Sequence, residues 1–225
     1  MKREFLTTKD GSVTIHLPDW NEQYHSKHGA INEALHVFLE SGLQYFIDTE
    51  KKFVGPISIL EIGFGTGLNA FLTLLYAQEN QQVVNYVGIE GYPVHASEVS
   101  QLNYPELRNT SKVLFTQLHE TPWEEAVAIS ENFVLTKREQ FFSEIKDKEM
   151  YHIIYFDAFG ARVQPELWTE SMFRIMYQAL LPDGVLVTYA AKGSVRRAMQ
   201  AVGFIVERLP GPPGKREMLR ATKHS

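Results

Sequence analysis

The 225-residue sequence predicts an α/β fold of Rossmann-like type. It should be a mostly parallel, doubly wound sheet with a terminal antiparallel hairpin and a small N-terminal β-hairpin and helix extension. Three observations lead there. Apolar strand-like runs alternate with helical ones between residues 57 and 202, a Gly-rich turn joins the first such strand to the first such helix, and an acidic residue closes each of two later strands.

Residues 5–8 and 13–17 are β-prone runs around Lys9-Asp10-Gly11-Ser12, a turn-forming stretch, and predict a hairpin. Ala34, Leu35, Phe38, Leu39, Leu43, Phe46 and Ile47 recur at helical spacing and predict an amphipathic helix over residues 32–48. Residues 51–56 read as a connector, so that residues 1–50 form an extension packed on a main domain of residues 51–225. Strands follow at 57–62 and 85–90, with a helix at 68–78 between them and a weaker helix at 94–107. The stretch 109–149 is the least legible, with candidate strands at 113–118 and 133–136. Beyond it lie a strand at 152–156, a helix at 165–180 closed by Pro182-Asp183-Gly184, a strand at 185–190 and a helix at 194–202. Residues 204–222 carry two β-prone runs around Pro210-Gly211-Pro212-Pro213-Gly214 and predict the terminal hairpin.

With 44% hydrophobic residues and no cysteine, the composition is that of a globular domain and excludes disulfides, thiolate metal sites and a cysteine nucleophile. No segment reaches the roughly 18 apolar residues of a membrane span, and the N-terminus has no apolar signal core, so a soluble, cytoplasmic protein is expected. The net charge of −5 hides an asymmetry. Residues 190–225 hold Lys192, Arg196, Arg197, Arg208, Lys215, Arg216, Arg220 and Lys223 against Glu207 and Glu217. Such a basic end is either solvated surface or a patch for phosphates.

Glu61-Ile62-Gly63-Phe64-Gly65-Thr66-Gly67 lies where an apolar strand gives way to a helix. Glycines there permit a tight turn and close approach of a ligand to the helix N-terminus. The spacing is GxGxG rather than the GxGxxG of dinucleotide binders, since Leu68 stands where the last glycine would be. Glu90, closing the next strand, is placed to accept hydrogen bonds from ribose hydroxyls. Both NAD and S-adenosylmethionine use such an acid, and Glu61 favours the latter, whose amino group is cationic. Asp157 ends a third apolar strand, Tyr155-Phe156-Asp157-Ala158-Phe159-Gly160, at the carboxyl edge where ligands bind in doubly wound sheets.

Glu61 to Asn69, Asp157-Ala158-Phe159 through Gln164-Pro165-Glu166-Leu167-Trp168-Thr169, and Gly214-Lys215-Arg216-Glu217-Met218-Leu219 occur in that order. Together with Tyr24-His25-Ser26 and Val195-Arg196-Arg197, they make the chain resemble the tRNA 5-methylaminomethyl-2-thiouridine methyltransferases of the MnmC and MnmD type. The resemblance implies a class I S-adenosylmethionine-dependent methyltransferase with Glu61, Gly63, Gly65, Gly67, Asn69 and Glu90 at the cofactor. It implies no metal, a tRNA anticodon stem-loop as partner, and methylation of the primary amine of 5-aminomethyl-(2-thio)uridine at the wobble position. Two departures stand out. Ala161 occupies a place where many members carry Pro, and the FAD-dependent oxidase of two-domain members is not expected in this chain. A separate oxidase or upstream tRNA-modifying enzymes are the implied partners, and no FAD is expected here.

On that resemblance Asp157 orients the amine, and Phe159 walls off the flipped base or is simply core. Tyr24 and His25 cover the cleft with Ser26, or serve as a surface segment capping a helix. Arg196, Arg197, Lys215 and Arg216 grip phosphates, and residues 115–125 supply the adenine contact. Trp168 is expected to pack its helix. A small-molecule methyltransferase and a non-catalytic module binding S-adenosylmethionine or RNA are the alternatives.

Overall fold

The computed structural model describes residues 2–50 and 53–224; Met1 and Ser225, and Lys51 and Lys52 of the expected connector, lie outside the described residues. A three-stranded antiparallel sheet opens the chain: β1 (Glu4–Thr7), β2 (Val13–Leu17) and β3 (Glu22–Gln23). Its hairpin is tied to the helix that follows, because Ser12 Oγ accepts from Ala30 N (3.2 Å) and Asp10 Oδ2 from Asn32 N (3.1 Å). That helix, α1, spans residues 30–49. It is α-helical at Ala30–Ala34 and Tyr45–Thr49 but π-wound over Leu35–Gln44, a wider coil than the sequence periodicity predicts.

The main sheet comprises β4 (Ile57–Ile62), β5 (Val84–Glu90), β6 (Ala126–Ser130), β7 (Phe133–Glu139), β8 (Tyr151–Phe156), β9 (Leu180–Thr188), β10 (Phe204–Pro210) and β11 (Glu217–Lys223). Their order is β10-β11-β9-β8-β4-β5-β7-β6. The five central strands are parallel, while β6 on one side and the β10–β11 hairpin on the other are antiparallel. After β4 the chain builds outward to β5 and β7, then returns to place β8 on the other side of β4. The carboxyl ends of β4 and β8 therefore diverge at a switch point, and a crevice opens above them.

Both faces of the sheet are covered, as a parallel sheet requires. Ile59, Tyr86, Ile153 and Val187 belong to one core with α1, α2 (Leu68–Glu79) and Phe115, while Leu60, Ile62, Ile154 and Leu186 belong to the other with Met172, Phe173 and Met199. Successive strand residues divide between the two cores because side chains alternate across a strand. Gly42 of α1 lies where a Cβ would meet Val187 Cγ2 at 2.9 Å, so the helix sits directly on the sheet.

Three expectations need correction. The weak helix over 94–107 is two single turns, α3 (Ala96–Val99) and α4 (Tyr104–Leu107). Asn103 interrupts them, its side chain accepting from Val13 N (2.8 Å) and donating to Gly11 O (2.9 Å), and Pro105 begins the new turn. The candidate strand over 113–118 is a helix, α5 (Lys112–Glu120), capped by Ser111 Oγ, with Phe115 and Leu118 buried three residues apart. The helix over 165–180 divides at Thr169 into a 3-10 turn (Pro165–Trp168) and α6 (Glu170–Ala179), and Pro182-Asp183-Gly184 lies within β9. The last helix is α7 (Gly193–Ala201), and the terminal hairpin forms as expected.

Candidate active site

A cavity of about 1100 Å³ opens at the switch point, between the carboxyl ends of the strands and the N-terminal sheet. Its floor is the Gly-rich turn. Gly63 (φ +91°) has no room for a side chain, since a Cβ would stand 2.9 Å from Asp157 O, and Gly65 (φ +50°) faces the Tyr24 ring at 3.1 Å. The N–H groups of Gly63 and Phe64 both donate to Ile89 O, Gly65 N to Glu90 Oε2 (2.9 Å), and Gly67 N to Phe64 O. These four amides serve the turn itself instead of forming a cradle for a pyrophosphate.

Glu61 ends β4 in the cavity wall, 1% exposed. Its Oε1 accepts from Asn69 Nδ2 (2.9 Å), and the same amide donates to Asp157 Oδ2 (2.8 Å). Glu61 Oε2 and Asn69 Oδ1 are buried without a partner, two acceptors that suit a cationic amino group. Burial, then the charge of Asp157, push the Glu61 carboxyl well above the usual carboxylate range. Asp157 follows β8, anchored by its N–H to Ile62 O (3.0 Å), and burial followed by the charge of Glu33 lifts its carboxyl to about 8. Glu90 closes β5, accepts from Gly65 N and Tyr92 N (2.9 Å each) and is raised by burial.

The same cavity carries an aromatic wall. The Phe159 ring meets Tyr24 at 5.0 Å and Trp20 at 5.7 Å, both edge to face. Arg162 holds this loop against the N-terminal segment, donating to Trp20 O, Asn21 O and Glu22 Oε2. Trp168, buried among core residues, donates to Phe159 O (2.8 Å). His25 lines the cavity but is not a surface residue. It is buried, hydrogen-bonded to Thr14 Oγ1 (2.8 Å) and 3.5 Å from Thr66 Oγ1, and burial pulls its imidazole down to about 4. It ties the N-terminal sheet to the Gly-rich turn.

The structure divides the basic residues. Lys215 reaches into the cavity, pairing with the buried Glu33 (2.6 Å) and lying 3.8 Å over the Tyr189 ring. Arg197 and Arg216 are exposed and Arg196 half-buried, all outside the cavity lining. Arg220 and Lys223 are buried and paired with Glu207 and Glu149, and Arg208 meets Glu217. Residues 115–125 do not line the cavity: Phe115 and Leu118 are core, and Glu139 at the end of β7, with Phe141, Phe142 and Ser143 just past it, lines the cavity instead. Sequence reasoning also missed Glu33, which looks like any helical acid, and His119, which donates to Thr66 O (3.2 Å) beneath Gly67. Neither carries a local signal.

A family profile described as S-adenosyl-L-methionine-dependent methyltransferase matches residues 105–224. The chain belongs to this methyltransferase family. The methyltransferase is 30% identical over 218 residues to the tRNA 5-methylaminomethyl-2-thiouridine biosynthesis bifunctional protein MnmC of Cupriavidus necator. That match covers 91% of this chain but only 32% of the relative, so the methyltransferase spans about a third of the relative's length. The crystal structure of MNMC2 from Aquifex aeolicus superposes with a TM-score of 0.79 at 25% identity, over 98% of this chain and 70% of that one. A spermidine synthase from Thermotoga maritima (TM-score 0.54, 13% identity, 98% and 71% covered) shares the fold alone. Among the described residues of the methyltransferase, no helix is long and apolar enough to cross a membrane, and no cluster of three His, Asp or Glu could hold a metal.

Proposed function

We propose that this methyltransferase acts on the primary amine of 5-aminomethyl-(2-thio)uridine at the tRNA wobble position, giving 5-methylaminomethyl-(2-thio)uridine. The observation that carries the reading is Asp157, a half-buried acid raised to about 8 that lines one cavity with Phe159, Tyr24 and Trp20 and shares Asn69 with Glu61. The Cupriavidus relative, named for tRNA 5-methylaminomethyl-2-thiouridine biosynthesis, supports the acceptor.

Bound S-adenosylmethionine supplies a methyl group already activated by a cationic sulfur. Glu61 and Asn69, with their free acceptors, would hold its amino group, and Glu90 its ribose hydroxyls. Asp157 accepts an N–H of the acceptor amine, directs its lone pair, and stabilises the charge that develops on nitrogen. The aromatic wall receives a base lifted from the anticodon loop. Arg196, Arg197 and Arg216 supply cations for the stem phosphates. In this reading an FAD-dependent oxidase or upstream tRNA-modifying enzymes would supply the aminomethyl group.

Transfer of radiolabelled methyl to tRNA bearing unmethylated 5-aminomethyluridine tests the reading. Label should enter tRNA, and Asp157→Asn should lower kcat by about 10²-fold or more. Label in a small amine but not in tRNA would replace the acceptor, and unlabelled tRNA after incubation with cofactor-binding protein would reject it.

A further inference from the structure

Glu33 enters the cavity from the first turn of α1, and nothing in the mechanism above uses it. It is 7% exposed, its Oε1 accepts from Ser26 N (3.2 Å), and its Oε2 pairs with Lys215 from the turn between β10 and β11. Lys215 stands over Tyr189, whose hydroxyl donates to Ala158 O (2.8 Å) beside Asp157. Glu33, Lys215, Tyr189 and Asp157 all line the one cavity. We propose that Glu33 and Lys215 are specificity-determining residues, which with Asp157 fix the charge of the acceptor: one monocationic amine is admitted, and dications and anions are refused. The proposal rests on the reading of Asp157 as the acid that meets the amine.

Charge balance in a partly buried site would make the selection. Glu33 and Lys215 cancel each other, and Asp157 holds a proton at neutral pH, so the acceptor side of the cavity starts neutral. A protonated amine brings one positive charge. It is matched when Asp157 gives up its proton to solvent, which restores neutrality. Proton transfer from the ammonium to Asp157 then breaks one N–H bond and forms one O–H bond, leaving the nitrogen lone pair free and Asp157 in its starting form. A polyamine would leave a positive charge buried and unmatched, and a carboxylate-bearing amine a negative one, and an uncompensated buried charge is strongly disfavoured. Without Lys215 the site would carry an extra negative charge and would accept a dication.

The groups facing Asp157 come from six places: Glu61 of β4, Asn69 of α2, Tyr86 of β5, Glu33 of α1, Tyr189 after β9, and Lys215. Glu33 raises Asp157 and Lys215 lowers it. Carboxyl-carbon NMR on protein labelled at aspartate, with Asp157 assigned by comparison with Asp157→Asn, measures this without any acceptor. The Asp157 midpoint should fall by about one pH unit in Glu33→Gln and rise by about one in Lys215→Met. Lys215→Met strands the Glu33 carboxylate, and the double variant relieves it, so there the midpoint should return toward the wild-type value. Binding of a monoamine and of a diamine is the second readout: wild type should favour the monoamine, Lys215→Met should shift the preference toward the diamine, and the double variant, neutral again, should return to the monoamine. Midpoints that stay fixed, or move in the same direction in both single variants, would overturn the proposal. So would a wild type that binds the diamine as well as the monoamine. If tRNA is not methylated while the midpoints move as stated, the tRNA acceptor falls and the charge selection stands.

Discussion

Asn69 Nδ2 carries two N–H donors and gives one to Glu61 and one to Asp157, holding the two carboxyls together. Burial and the charge of Glu33 raise Asp157 against that hydrogen bond, and the result is measurable away from catalysis. Asp157 ionises near its ordinary 3.8 in the unfolded chain and near 8 in the folded one. Between those values the folded state keeps a proton that the unfolded chain has lost, so stability from this group is full below about 4 and is lost as pH rises through 8. Asp157→Asn removes that dependence. Its urea midpoint should exceed that of wild type by more at pH 8.5 than at pH 5, with Glu61, also raised, leaving a residual slope. An equal difference at both pH values would mean that Asp157 is not held protonated. The acids themselves were legible because each ends an apolar strand, a local pattern. The Glu33–Lys215 pair was not, since a helical acid and a lysine in a basic tail meet only once the fold brings them together.

At the level of elements, the N-terminal sheet is held to the Gly-rich turn through His25, between Thr14 and Thr66. With its imidazole at about 4 in the fold against 6.5 outside it, His25 favours the folded state above pH 6.5 and less so as pH falls toward 4. His25→Ala should weaken cofactor binding by up to about tenfold, the worth of a buried hydrogen bond, and speed amide exchange across β2 and β3. Unchanged exchange would show that other contacts hold the sheet down. Elements defined by local chemistry were readable in advance: the opening hairpin from its turn residues, β4 and α2 from the change of period at the glycines, and the terminal hairpin from its Pro-Gly turn. The failures have physical causes. Six apolar-rich residues at 113–118 fit either a strand or a helix face, and the Ser111 cap with burial of Phe115 and Leu118 settled it as a helix. The wall at Glu139–Ser143 depends on the position of β7 beside β5, a long-range pairing that no local pattern encodes.

Across the whole molecule, the basic surplus of the C-terminal segment is partly spent inward. Lys215, Arg220 and Lys223 each meet a carboxylate, with Glu33 and Glu149 contributed from outside the segment. Among the described residues, Arg197 and Arg216 are exposed and form no ion pair, which leaves them available to phosphates. If both touch the tRNA backbone, replacing both with Ala should make the slope of log affinity against log salt shallower by about 2, whatever the tRNA sequence. A slope that does not change would place the RNA on another face.

The closing turn between β10 and β11 has a further consequence, for the order in which the molecule is made. His36 bonds Pro210 O across 174 residues, and Lys215 completes a site whose acids, Glu33, Glu61 and Asp157 among them, stand earlier in the chain. Contacts of such sequence separation form late, because a long loop must close before they repay its entropy. On the ribosome, the sheet from β4 to β9 can assemble while Glu33 still lacks its cation. On that order the scaffold is nearly finished before its pocket is balanced, and the acceptor selectivity proposed above would arrive only with β10 and β11.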